Sequence, residues 1–319
     1  MGGNSSSGAT VLICGSVAYD TILLFQDRFK AHIMPDKLHV LNVSFLVPEM
    51  RREFGGCAAN IAYGLSLLGD RGLAMATAGT DFEPYRKRLG ALGIAMDYIK
   101  VVPDTYTAQA FITTDMDDNQ ITAFHPGAMQ QAHLNKVSDL SVKPALGIIS
   151  PDGRQAMIEH ASQFAAAGIP FIFDPGQGLP MFAGEDLKTF IGQATWVVVN
   201  DYEWGMLQQR TGFSEAEVAQ QVEALIVTCG GEGSHIYTRG RTFSVPAVKP
   251  RAVVDPTGCG DAYRAGLIHG LLRGRDWEAI GKTAALMGTL KIETLGPQNY
   301  RFTSAEFTTR FNDAFGQTP

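Results

Sequence analysis

The chain has 319 residues, enough for one large domain or two with a sizeable buried core. Hydrophobic residues make up 45% and charged residues only 18%, which excludes charge-driven disorder over most of the length. The net charge of −6 has the wrong sign for a protein that binds nucleic acid by neutralising its phosphates, although a local cluster of backbone N–H groups can still bind a small anion.

Residues 1–9 read as a tag or loose tail, because Met1 to Gly8 has neither the charged nor the apolar region of a secretory signal. Val11 to Cys14 predicts the first strand, with Asp20 in the loop beyond it, and His39 to Val47 is strand-like with no crossover helix after it. Cys57 to Leu68 has helical period and is stopped by Gly69; Leu73 to Ala78 then predicts a strand and Pro84 to Leu92 a helix. Thr107 to Thr114 and Gln120 to Phe124 flank the turn-forming Asp117-Asp118-Asn119 and predict a hairpin. Leu146 to Ser150, Phe171 to Phe173 and Thr195 to Val199 predict strands, with a helix over Arg154 to Ala167. The run Trp196 to Val199 shows no polar alternation, as expected of a strand covered on both faces of a parallel sheet. Ser214-Glu215-Ala216-Glu217 opens a helix as a capping box, and Ala262 to Leu272 reads as an apolar helix. This alternation predicts an α/β fold, doubly wound on a mostly parallel sheet. The 39–47 strand and the hairpin stand outside it, either as a lid over a site or as ordinary edge strands.

The segment richest in chemistry is Asp255-Pro256-Thr257-Gly258-Cys259-Gly260-Asp261. A Gly-x-Gly turn feeding a helix leaves N–H groups without carbonyl partners at the positive end of the helix dipole, which makes an anion hole. Asp261 in the first turn suits a hydroxyl attacking a phosphoryl group held there; a first-turn acid after a glycine turn is equally an ordinary helix start. Gly55-Gly56-Cys57-Ala58-Ala59-Asn60 also opens a helix. Its small residues admit either a ligand or tight packing, and the Asn60 amide can both donate to and accept from a hydroxylated substrate. Asp20 suits vicinal hydroxyls at a strand's carboxyl end, or a turn. Asn200 and Glu203, after a buried strand, offer hard oxygens for hydrated magnesium, or Asn200 caps the next helix.

Several chemistries lack their motif. Gly281-Lys282-Thr283 is not the end of a phosphate-binding Walker loop, since Asp276 stands where that loop needs glycine, and Gly15 alone after the first strand weakens a dinucleotide-dependent dehydrogenase. Cys14, Cys57, Cys229 and Cys259 lie far apart with no C-x-x-C pair, and no histidine has metal-ligand spacing. No apolar run reaches the about 18 residues of a membrane span. A reducing, cytoplasmic location with no membrane partner is therefore the expectation.

Together these segments resemble the ribokinase or PfkB family of sugar and nucleoside kinases. The family's carboxyl-terminal signature is matched by Asp255 to Ala262 and its amino-terminal signature by Gly55-Gly56 through Asn60 to Gly69. Asp20, the Asn200 to Glu203 motif and Thr228-Cys229-Gly230-Gly231-Glu232-Gly233 follow the same order. The resemblance implies a ribokinase-like three-layer α/β/α kinase domain over residues 10–319, with lid strands roughly at 21–48 and 105–126. Within the family, Leu41 to Val47, Phe124 to Met129, Asn200 to Trp204 and Asp261 to Gly266 look like bacterial adenosine kinases. That implies purine salvage by transfer of the γ-phosphoryl group of ATP to the 5′-hydroxyl of adenosine, giving AMP and ADP. Another nucleoside, or a free sugar such as ribose or fructose, is the alternative acceptor. A binding protein that has kept the fold and lost turnover, or a dehydrogenase, are readings of other classes; the intact Asp261 argues against the first.

By the same resemblance Asp261 is the base and the N–H groups of Gly258, Cys259 and Gly260 form the anion hole. Ser16, Asp20, Gly56 and Asn60 bind the substrate, Phe124 stacks on the purine from the lid, and Gln177 lies near the base. Asn200, Glu203, Thr228, Gly230 and Gly233 line the ATP site, and Glu203 holds Mg2+ through water. A monovalent cation such as K+ is expected near the anion hole, and a homodimer through the lid strands. Two positions depart from the pattern: Ala110 stands where relatives often carry a second lid aromatic, and Gly178 where they carry a second glutamine.

Overall fold

The computed structural model describes residues 9–33, 42–117 and 119–319, so the expected tail, apart from Ala9, lies outside the described residues. In chain order the strands are β1 (Thr10–Cys14), β2 (Ala18–Leu24), β3 (Glu49–Gly55), β4 (Arg71–Ala78), β5 (Ile99–Val101), β6 (Ala108–Thr114), β7 (Gln120–His125), β8 (Leu146–Ile149), β9 (Phe171–Phe173), β10 (Trp196–Asn200), β11 (Ala224–Thr228), β12 (Ser234–Thr238) and β13 (Arg241–Val245). The helices are α1 (Phe29–His32), α2 (Cys57–Leu67), α3 (Glu83–Ala91), α4 (Arg154–Ala166), α5 (Gly184–Gln193), α6 (Asp201–Thr211), α7 (Glu215–Gln221), α8 (Cys259–Leu272), α9 (Trp277–Ile292) and α10 (Ser304–Phe315).

Among the described residues nine strands form the main sheet in the order β13-β12-β11-β10-β9-β8-β1-β4-β5, parallel except that β12 runs antiparallel to both β11 and β13. Because side chains alternate along a strand, each central strand feeds two cores. Val11 and Ile13 of β1 join the core under α2, α3, α8, α9 and α10, while Leu12 and Cys14 join the one under α4, α5, α6 and α7. This is the three-layer α/β/α architecture read from the alternation. From β1 the chain winds outward through β4 to β5, then returns to β8 and winds the other way through β9 to β11. The directions part between β1 and β8, and the loops at their carboxyl ends, Gly15-Ser16 and Ser150-Pro151-Asp152, open the crevice where such sheets bind ligands.

A second sheet, of four strands among the described residues, ordered β3-β2-β6-β7, stands apart from the main sheet. The expected hairpin is present as β6 and β7. Two expectations need correction. Asp20 lies within strand β2, paired to Glu53 and Ala110, rather than in a loop. The strand expected over 39–47 is displaced: residues 39–41 lie outside the described residues, 42–48 run irregularly, and the strand is β3. Its sequence, Glu49-Met50-Arg51-Arg52-Glu53-Phe54-Gly55, hid it because a half-exposed edge strand carries charge instead of apolar alternation. Phe45 packs instead on Phe25 and Phe29, with ring centroids 4.8 and 5.0 Å apart.

The carboxyl-terminal helices pack closely because Gly266 has no side chain. A Cβ there would lie 2.7 Å from the Ala284 Cα, so any methyl pushes α8 from α9 and disturbs the helix that starts the site. Gly266→Ala should destabilise the fold by about 1–3 kcal/mol, read as a lower urea midpoint with an unchanged slope.

Candidate active site

Helix α8 begins at a glycine because the chain must turn left-handed there. Gly258 has φ 80°, and a Cβ on it would lie 2.6 Å from Pro297 Cβ. Beyond it, the Ala262 N–H donates to the Gly258 carbonyl (3.0 Å) and the Cys259 N–H to the Pro256 carbonyl (3.1 Å). The N–H groups of Gly258, Gly260 and Asp261 meet no backbone acceptor among the described residues. One expectation changes: the Cys259 amide, read as part of the anion hole, closes the turn, and the Asp261 amide is the further free donor.

The Asp261 carboxylate is held from across the fold. Asn60 Nδ2 donates to its Oδ2 (2.8 Å), and Asn60 Oδ1 accepts from Gln298 Nε2 (2.9 Å). Gln298 Nε2 also donates to the Tyr85 hydroxyl (2.6 Å). Asn60 and Gln298 are 5% and 1% exposed, so this relay is fixed by packing. Asn60, expected to read the ribose, thus already spends one donor and one acceptor on positioning. Burial pushes the Asp261 pKa up to about 6, against the Asn60 hydrogen bond and with the charge of Asp174 adding to the rise. Asp20 is also pushed up to about 6, by burial and then by Asp255 and Glu53.

The surroundings of Asp20 are assembled by close approaches. Gly56, with φ 91°, starts α2, and a Cβ on it would lie 2.6 Å from the Ser16 carbonyl oxygen. Ser16 Oγ accepts from the Cys57 N–H (3.2 Å), so Ser16 anchors the helix start. Asp20 Oδ2 lies 2.5 Å from where a Gly55 Cβ would stand; that glycine makes room for the carboxylate. Glu53, Asp20, Ala110 and Phe124 form one cross-strand row and so share a face of the lid. Phe124, at the far edge of that row, is 52% exposed. Gln177 is exposed on the turn Gly176–Met181, and no hydrogen bond joins it or Phe124 to the Asp261 relay. A Cβ at Gly178 would lie 3.1 Å from Met181 Cε and 3.4 Å from Met157 Sδ, both atoms of flexible methionine side chains.

On the other side of Asp261, Arg264 grips Asp174 with two bonds of 3.1 and 2.9 Å in a buried pair. Glu203 lies near both; burial raises its pKa, Asp174 adds to the rise, and Arg264 opposes it. Asn200 is the cap of α6, its Oδ1 accepting from the Glu203 N–H (2.7 Å) while Glu203 Oε2 accepts from the Asn200 N–H (2.8 Å). Asn200 therefore caps α6 through Oδ1, while its Nδ2 makes no hydrogen bond among the described residues. One Glu203 oxygen remains outside the cap. Thr228 ends β11, and the turn carrying Gly230 (φ 54°) and Gly233 (φ 103°) is closed by the Cys229 N–H donating to the Gly233 carbonyl (2.8 Å). Tyr263 Oη donates to Ser234 Oγ (2.8 Å), tying that turn to α8. Among the described residues no three His, Cys, Asp or Glu side chains converge as a metal cage, and no helix is long and apolar enough to cross a membrane.

Sequence reading missed Asp174, Arg264, Gln298 and Lys291. A faint signal existed for three of them: Asp174 follows a buried strand, while Arg264 and Lys291 interrupt apolar helices. Gln298 carried none.

The model of the pfkB family carbohydrate kinases matches residues 22–303. The chain belongs to this family. Among solved structures, this PfkB-family kinase is similar to Burkholderia thailandensis nucleoside kinase in complex with inosine, at 52% identity and a TM-score of 0.88, covering 97% of this chain and 99% of that one. It is 32% identical to a nucleoside kinase of Methanocaldococcus jannaschii over 81% of this chain and 85% of the relative. An adenosine kinase from Sinorhizobium meliloti, at 22% identity, shares the fold with a TM-score of 0.76 over 97% of this chain and all of that one.

The raised Asp261 pKa has a measurable consequence in this kinase. Ionisation is harder in the folded state (about 6) than at the unperturbed value of 3.8. The carboxyl therefore costs nothing below that lower value, and stability is lost as pH rises towards 6. Asp261→Asn should stabilise the protein by about 1–3 kcal/mol at neutral pH, with the gain vanishing towards pH 4 in denaturant titrations.

Proposed function

We propose that the protein is an ATP-dependent nucleoside kinase that phosphorylates the 5′-hydroxyl of adenosine to give AMP and ADP. One observation carries this reading: a buried carboxylate with a raised pKa, fixed by the Asn60–Gln298 relay, stands at a helix start beside backbone N–H groups that meet no acceptor among the described residues. Asp261 orients the 5′-hydroxyl and takes its proton as the bond to phosphorus forms. The N–H groups of Gly258, Gly260 and Asp261 stabilise the charge on the transferring phosphoryl group, whose acceptance costs them no reorganisation.

Asp20 binds the vicinal ribose hydroxyls and Ser16 and Gly56 shape the wall beneath them. Phe124 stacks on the base as the lid closes, with Gln177 facing the base from the main domain. Lid closure excludes water that would otherwise receive the phosphoryl group. ATP lies along Glu203, Thr228, Gly230 and Gly233, with Asn200 holding the start of α6 in place. Mg2+ bound with ATP neutralises phosphate charge, and the Glu203 oxygen left outside the helix cap suits one of its waters. A cytoplasmic place in purine salvage accompanies this reading.

Inosine is a second acceptor reading, favoured by the inosine complex of the 52% identical Burkholderia thailandensis nucleoside kinase. Phosphoryl-transfer assays with adenosine, inosine, guanosine, cytidine, ribose and fructose separate the possibilities. Nucleosides should exceed free sugars by about a hundredfold or more in kcat/KM; turnover of a sugar with none on nucleosides would reject the proposal. Asp261→Asn should lower kcat by about 10²–10⁴-fold with KM little changed, and wild-type kcat/KM should fall by at least about tenfold per pH unit below about 6, where Asp20 is also protonated. Ordinary activity in that variant removes Asp261 from the mechanism.

We also propose that two copies pair through the lid face turned away from Asp20, where Met50, Phe111 and Ile121 are 70%, 41% and 44% exposed. Light scattering should give a dimer that Phe111→Asp converts to monomer; a monomeric wild type overturns this.

A further inference from the structure

Lysine is almost never fully buried unless its charge is paired, yet Lys291, in the last turn of α9, is 0% exposed. Its ammonium donates to the carbonyl oxygens of Asp255 (2.7 Å) and Thr294 (3.0 Å) and lies 3.8 Å from Asp255 Oδ2. The Asp255 carboxylate is itself fixed, Oδ1 accepting from the Thr257 N–H (2.9 Å) and Oδ2 from the Gly296 N–H (2.8 Å). Burial lowers the Lys291 pKa, and the Asp255 charge opposes that shift.

The position of this cation is what gives it meaning. Asp255 opens the turn that presents the free N–H groups at 258, 260 and 261. Thr294 and Gly296 begin the loop whose Pro297 backs Gly258 and whose Gln298 holds Asn60 on Asp261. Lys291 thus clamps the two loops that build the anion-binding turn, and the negative end of the α9 dipole favours a positive charge there. A monovalent metal ion is held by just such a set, backbone carbonyl oxygens that replace its water together with a nearby carboxylate. Here the oxygens already have a resident cation, attached to the chain. A second positive charge would have to displace it or share its ligands, so the residues do not fit the K+ expected near the anion hole.

We infer that the Lys291 ammonium is a tethered substitute for a monovalent cation, so that the anion-binding turn of this kinase is organised without K+. This rests on the kinase reading for its activity arm only. Wild-type turnover of its nucleoside should agree within about twofold in K+ and tetramethylammonium chlorides at about 0.1 M salt, and its melting temperature without substrates should be the same in both. A K+-specific rise in either quantity overturns the inference. Lys291→Ala should lose about tenfold or more in kcat in tetramethylammonium and recover in K+ or ammonium, with a melting temperature that K+ now raises. A folded variant equally impaired in every salt, with melting unmoved by K+, shows a role in packing alone and also overturns it. If Lys291→Ala does not fold, the wild-type comparison still decides. If no acceptor is turned over in any salt, the kinase proposal fails while the wild-type melting comparison still judges Lys291.

Discussion

One buried carboxylate, Asp261, is held by groups drawn from across the fold. Its place at the start of α8 removes it from water, which favours the protonated form and raises its pKa to about 6. The Asn60 amide works in the other direction, donating to the charged form. Because Asn60 is itself held by Gln298, and Gln298 by Tyr85, helices α2, α3 and α8 and the loop after α9 must all be in register before the carboxylate has its orientation.

Two buried positive charges complete the electrostatics around that helix start. Arg264, one turn further along α8, is neutralised by a two-pronged contact with Asp174 at the end of β9. Lys291 reaches the same region from behind through the Asp255 carbonyl. Both ions are too deep to be solvated, so each is tolerated only because fixed oxygens surround it. The same fixity ties the turn between Asp255 and Asp261 to the sheet on one side and to the carboxyl-terminal loop on the other, and a rigid turn is what aimed N–H donors require.

The two sheets divide the remaining work. The main sheet leads into Glu203 and the turn after β11 at the carboxyl ends of its strands and α8 carries Asp261, while the second sheet brings Asp20 and Phe124 on one cross-strand row. Ala110 sits between those two residues in the row. Gly178 has Met157 and Met181 as its nearest side chains.

What the sequence determined by itself were features with short range. Unalternating apolar runs such as Trp196 to Val199 announced a doubly covered parallel sheet. The Gly-x-Gly before Asp261 announced a helix start with free donors, and the Asp117-Asp118-Asn119 trio announced the lid hairpin. Each depends on periodicity, dihedral freedom or turn chemistry within about ten residues. Only the tertiary structure decided that Asp20 lies in a strand and that the charged segment 49–55 is its partner, because an exposed edge strand has no apolar alternation to read. It alone placed Gln298 on Asn60, 238 positions away, and turned Lys291 inward onto Asp255. A hydrogen bond between distant residues, or the burial of a lone charge, leaves no local pattern: its energy depends on which oxygens the completed fold brings within reach.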